Sequence, residues 1–73
     1  MSRPRKRSFT IRGHRTSVSL EEPFWLALKE IAVADRMPLA EVVARIDEAR
    51  GGASLSGAVR VHVLDHYRRR AAS

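Results

Sequence analysis

The sequence predicts a mainly α fold with one β-strand region ahead of three helices, assembled as an intertwined homodimer. Three observations predict it. Residues 8–20 alternate in the manner of extended chain, and residues 21–70 carry three runs of helical apolar spacing. The third is size: 73 residues form one domain, and a lone chain of this length buries only about 60% of its unfolded surface. There is no cysteine to supply a disulfide or a thiolate metal site, so association with a second copy is the expected remedy.

The elements follow in order. Residues 1–7 read as a basic, Pro-containing arm with nothing to bury, expected to be disordered without a partner. The domain proper runs over 8–70. Its strand region, 8–20, changes phase midway: Phe9 and Ile11 are apolar at odd positions, whereas Thr16, Val18 and Leu20 occupy even ones. Gly13 lies between the two phases, where a turn or a β-bulge absorbs the change.

A first helix is expected over 21–35, with Phe24, Leu28, Ile31 and Ala32 at helical spacing and Pro23 tolerated in the first turn. Glu21 and Glu22 complement the positive end of its dipole. Trp25 and Leu26 widen the apolar surface beyond one stripe. Met37-Pro38 ends this helix and starts another over 38–50, where Leu39, Val42, Val43 and Ile46 follow the i, i+3, i+4, i+7 pattern. Gly51-Gly52 stops it. A third helix is expected over 54–69, with Ser54 or Ser56 as N-cap and Leu55, Val59, Val63 and Tyr67 on one face.

The formal net charge is +6, from 14 Lys and Arg against 8 Asp and Glu, which favours a polyanionic partner. Its distribution is sharper than its total. Arg3, Arg5, Lys6, Arg7, Arg12 and Arg15 all precede the first acidic residue, Glu21, and Arg68, Arg69 and Arg70 form a second cluster. No apolar run approaches the roughly 20 residues that span a bilayer, and no apolar segment follows the basic start as in a secretory signal. A cytoplasmic, nucleoid-associated protein is the expectation.

The functional reading centres on Arg15-Thr16-Ser17-Val18-Ser19-Leu20. With Thr16, Val18 and Leu20 facing a helical core, Arg15, Ser17 and Ser19 face outward together. A single strand of this sort is expected to pair with its twin in a second chain, as an intermolecular antiparallel two-stranded ribbon. Such a ribbon fits the major groove of double-stranded DNA, where Arg bridges guanine acceptors and Ser pairs with several base edges.

These residues resemble the ribbon-helix-helix repressors (the Met/Arc-like family). The likeness is to a bacterial subgroup with a third helix, carried here by Arg12 to Glu21, by Phe24-Trp25 and by Leu55-Ser56-Gly57-Ala58-Val59-Arg60. The resemblance implies that Arg15, Ser17 and Ser19 read bases. It also implies that the N-terminus of the second helix, at Met37, Pro38 and Leu39, holds a backbone phosphate through main-chain N–H groups. Pro38 departs from the Ser or Thr common in that turn, so neighbouring amides and Arg36 must serve, and the third helix's N-terminus at Ser54 to Ser56 is a rival clamp. Arg3, Arg5, Lys6, Arg7, Arg12 and His14 are expected to touch phosphates, adding affinity and salt dependence rather than sequence choice. Thr16, Val18, Leu20, Phe24, Trp25, Leu28, Ile31, Leu39, Val42, Val43 and Ile46 are expected in the core or dimer interface.

Other chemistry is weaker. His62 and His66 stand i, i+4 apart, but without the zincin Glu between them or a thiolate nearby, and read as helix-flank residues. No metal, cofactor or catalytic group is expected, and no strained nucleophile turn or glycine-rich phosphate loop accompanies the Ser, His and Asp residues. The expected function is sequence-specific DNA binding by a homodimer that represses transcription. Two rivals exist. An antitoxin-like interaction module would carry a toxin-wrapping tail, and only Ala71-Ala72-Ser73 follows the last basic cluster. A basic protein on anionic membranes leaves the alternating strand unexplained.

Overall fold

The computed structural model describes residues 3–72. The chain forms strands β1 (Arg5–Ile11) and β2 (His14–Leu20), then helices α1 (Glu22–Ala34), α2 (Leu39–Ala49) and α3 (Leu55–Ala72). The two strands pair antiparallel with one another, in a register running from Arg5 opposite Leu20 to Ile11 opposite His14.

Of the turn and the bulge left open at Gly13 within residues 8–20, the chain takes the turn. One sequence expectation is corrected: β2 has a neighbour within its own chain. The cause is the turn. Arg12 (φ 52°) and Gly13 (φ 79°) both take positive φ. Two such residues give a turn whose twist matches that of the flanking strands, so the chain folds back in register. The phase change around Gly13 is therefore a reversal of direction. Hairpin pairing also draws Arg5, Lys6 and Arg7 into β1 rather than leaving them in a disordered arm; Met1 and Ser2 of that expected arm lie outside the described residues.

The inner face of the hairpin packs on the helices. Ile11, Val18 and Leu20 are buried, with Phe9 and Thr16 half-buried beside them. Below lie Trp25, Leu28, Ile31 and Ala32 of α1, Val42, Val43 and Ile46 of α2, and Leu55, Val59 and Val63 of α3. Fully burying a residue of the Leu or Val class contributes about 1.5–3 kcal/mol, so this cluster drives the fold. Phe24 and Leu39 are half-buried at its edge.

Trp25 ties the hairpin to α1. Its ring is fully buried, its Nε1–H donates to the Arg5 carbonyl at 3.0 Å, and Phe9 stacks at a tilt with ring centroids 6.1 Å apart. The Arg7 guanidinium lies 5.1 Å from the same ring centre, in cation–π range. β1 is thus held by one aromatic side chain although three of its first residues are cations.

The helix ends have local causes. Pro23 sits in the first turn of α1, where its missing N–H costs nothing. Pro38 precedes α2 as its N-cap rather than its first helical residue. α1 closes with Arg36 N–H on the Val33 carbonyl at 3.1 Å and Met37 N–H on the Ala32 carbonyl at 3.0 Å, and Arg36 takes φ 55°. That is a Schellman closure with arginine where glycine is usual. Of the two serines at the start of α3, Ser54 is the cap: its Oγ accepts the Gly57 N–H at 3.1 Å.

Candidate nucleic-acid interface

The hairpin has one buried face and one open face. In a strand, successive side chains alternate sides, and directly opposed residues share a side. The register therefore puts Lys6 beside Ser19, Ser8 beside Ser17 and Thr10 beside Arg15 on the face turned from the helices. Ser8, Thr10, Arg15 and Ser17 are exposed and Ser19 is half-buried. None of the six residues is acidic or large and apolar, so this face offers hydroxyls in the middle and one cation at each of two diagonal corners.

α3 sets the far end of this face. The Ser19 N–H donates to Ser56 Oγ at 3.0 Å, and the Ser19 carbonyl accepts from Arg60 Nη2 at 3.3 Å. Arg60 also donates to Glu21 Oε1 from Nη2 at 2.9 Å and from Nε at 3.2 Å, while its guanidinium lies 5.7 Å from the Phe24 ring centre. Glu21 is held below its ordinary value by a backbone hydrogen bond first and by Arg60 second. Sequence reasoning assigns no role to Ser56 in the strand or to Arg60. Both lie in the Leu55 to Arg60 segment that carries the family resemblance, which is the signal for them.

The residues expected to touch phosphate fall into distinct settings. Arg3 is exposed ahead of β1, Lys6 is on the open face, and His14 is exposed where β2 leaves the turn. Three of the others are occupied. Arg5 pairs with Glu22 at 3.6 Å, Arg7 covers Trp25, and Arg12 is ion-paired with Glu48 on α2. Arg36 is exposed in the α1–α2 link, and Leu39 is the first residue of α2. Met37 spends its N–H on the Ala32 carbonyl, and proline has none at 38, so the amides left at this helix start begin at Leu39.

A second feature is the groove between α2 and α3, lined among others by Met37, Val42, Ile46, Ala58, Val61 and His62. Desolvation lowers the His62 pKa, against the opposing pull of Asp35. His66 packs edge-on against Tyr67, whose hydroxyl donates to Glu30 at 2.8 Å. Among the described residues there is no group of three or more His, Cys, Asp or Glu side chains placed to hold a metal. Nor is any helix among them long and apolar enough to cross a membrane.

A family model described as a ribbon-helix-helix domain matches residues 4–67. The match spans the hairpin and all three helices up to Tyr67. No curated protein and no solved structure matches the chain.

Proposed function

The chain belongs to the ribbon-helix-helix domain family, and from that premise we propose that it is a sequence-specific DNA-binding protein that represses transcription by occupying a promoter. The observation that carries this reading is the open face of the hairpin. It is a two-stranded ribbon free of carboxylates, with Arg15, Ser17 and Ser19 aligned on β2. A ribbon of two strands has the width to enter the major groove, and Arg and Ser are side chains that pair with base edges there. No reaction and no cofactor is involved.

Phosphate contacts flank the reading face. Arg3, Lys6, His14 and Arg36 are placed at the surface for them, and the Leu39 amide is offered at the start of α2. Arg5, Arg7 and Arg12 join by exchanging partners. Exposed ion pairs such as Arg5–Glu22 and Arg12–Glu48 are worth only about 0–1 kcal/mol, so a phosphate competes readily for these guanidinium groups.

The protein works as a homodimer in the bacterial cytoplasm, on the nucleoid. Apolar surface left on the helices supports the homodimer: Val33 is 79% exposed, and Leu26, Val61 and Leu64 are each more than half exposed. Two copies related by a two-fold axis present two ribbons to a palindromic site.

The test is Arg15→Ala titrated against the preferred duplex and a scrambled one, with circular dichroism as folding control. Binding to the preferred site should weaken by about 1–3 kcal/mol for each base pairing that Arg15 makes, and scrambled DNA should be bound almost as before. Unchanged affinity for both duplexes would remove the ribbon as the reader.

A further inference from the structure

One side chain on α3 fastens the junction between β2 and α1. We infer that Arg60, assisted by Ser56, is a positioning residue for DNA recognition: it fixes the angle at which β2 meets α1, and so the placement of the ribbon relative to the phosphate contacts at the start of α2. This rests on the proposed reading of the ribbon as the DNA-contacting element.

The junction is short. β2 ends at Leu20 and α1 begins at Glu22, so Glu21 alone joins them. Glu21 is the N-cap of α1, yet its side chain makes no capping hydrogen bond; its main-chain carbonyl accepts the Phe24 N–H at 2.9 Å and the Trp25 N–H at 3.2 Å. The carboxylate turns to α3 instead, where Arg60 donates to Oε1 from Nη2 at 2.9 Å and from Nε at 3.2 Å. The same guanidinium donates to the Ser19 carbonyl at 3.3 Å and lies 5.7 Å from the Phe24 ring centre. It thus touches the end of the strand, the joining residue and the first turn of the helix. About one turn earlier on α3, Ser56 Oγ accepts the Ser19 N–H at 3.0 Å, so both main-chain polar groups of Ser19 are held by this helix.

α3 gives this clamp a rigid base, because Leu55, Val59 and Val63 bury its inner face in the core. The clamp is also shielded: the Arg60 and Glu21 side chains are 35% and 32% exposed, against 65% and 56% for Arg12 and Glu48. A phosphate draws Arg12 from its single partner far more readily than Arg60 from its three. The leverage is large. α1 runs for 13 residues, roughly 20 Å, and Arg36 and Leu39 lie beyond its far end. A rotation of about 10° at the junction moves that end by about 3.5 Å, more than the whole spread of hydrogen-bond lengths. Ribbon and phosphate contacts then no longer fit one duplex together, whereas the charge attraction that holds any sequence is unaffected. Lysine cannot take the place of Arg60, since one ammonium lacks the planar fork that meets a carboxylate and a carbonyl together beside an aromatic ring.

The experiment starts from a duplex selected out of a randomised library by the full chain. Wild type, Arg60→Lys, Glu21→Gln, Ser56→Ala and Arg15→Ala are titrated against it and against a scrambled duplex over a salt series, at a temperature where circular dichroism shows each one folded. Arg60→Lys keeps the charge, so scrambled binding and the salt slope should match wild type. The ratio of selected to scrambled affinity should fall about tenfold, equivalent to one base pairing lost. Glu21→Gln should lower the ratio likewise, and joining it to Arg60→Lys should add little, because the two residues act as a unit. A merely stabilising role would reduce the folded fraction, lower both affinities alike and leave the ratio where it was. A wild-type ratio in Arg60→Lys and Glu21→Gln, with the ratio lost in Arg15→Ala, would overturn the positioning role and leave the ribbon reading intact. A wild-type ratio in all three would overturn both. Should Arg60→Lys not fold, Glu21→Gln and Ser56→Ala decide the matter by the same ratio.

Discussion

Ser56 Oγ accepts the backbone N–H of Ser19 at 3.0 Å, so the first turn of α3 closes the outer edge of β2 where the strand enters the core. An open strand edge is a template for pairing with other chains. Here the hydroxyl of Ser56 and the guanidinium of Arg60 cover the end nearest α1, and the edge at Arg15 and Ser17 is left to solvent.

Ser56→Ala removes an acceptor from a part-buried N–H. The expected cost is about 1–3 kcal/mol, since an unpaired donor loses its hydrogen bond to water as well. Chemical denaturation should show the loss, and amide exchange at Ser19 should accelerate more than at Val18, whose N–H stays in the ladder. An unchanged exchange rate at Ser19 would mean that α3 does not secure this edge.

Arg36→Gly separates stability from binding. A non-glycine residue in the left-handed region costs roughly 1–2 kcal/mol, and about 0.4–1 kcal/mol of that relief is offset by the greater freedom of glycine in the unfolded chain. The denaturation midpoint should therefore rise modestly. The same variant loses a cation at the α2 entrance, so affinity should fall alike for preferred and scrambled DNA, with a shallower salt slope. A lower midpoint would show that the Arg36 side chain makes a stabilising contact that outweighs its backbone conformation.

Acid should loosen the packing of α1, α3 and the end of β2 against one another. The Glu21 carboxyl is held below its ordinary value of 4.5 by a backbone hydrogen bond and by Arg60. A lowered folded value means that the stabilisation is fully present above 4.5 and disappears as pH falls through the lower folded value. Thermal melts of the wild type should therefore decline in this acid range, and Glu21→Gln should flatten that part of the curve. Parallel curves for the two proteins would assign acid sensitivity elsewhere.

Much of this architecture is legible in the sequence, and the exceptions share a cause. The three helices announce themselves through apolar spacing and through the breaks at Met37-Pro38 and Gly51-Gly52. The alternation from Arg15 to Leu20 likewise sorts the two faces of β2. The start of β1 is not legible, because Arg5, Lys6 and Arg7 carry no alternation at all. What makes them a strand lies elsewhere in the chain: a turn with Arg12 at positive φ, and the Trp25 ring that accepts Arg7 on its face and donates to the Arg5 carbonyl. Ser56 and Arg60 act on Ser19 from 37 and 41 positions away, a distance over which periodicity carries no information. The neighbour of β2 within its own chain goes unseen for the same reason.

Amide chemical-shift mapping of the full chain, titrated with its selected duplex, tests the hairpin as the DNA-reading element most directly. The largest changes should lie along both strands, at Ser8, Thr10, Arg15 and Ser17, with lesser ones at Arg36 and Leu39 and none centred on Val61 and His62 in the α2–α3 groove. Changes concentrated on that groove, with both strands silent, would contradict it.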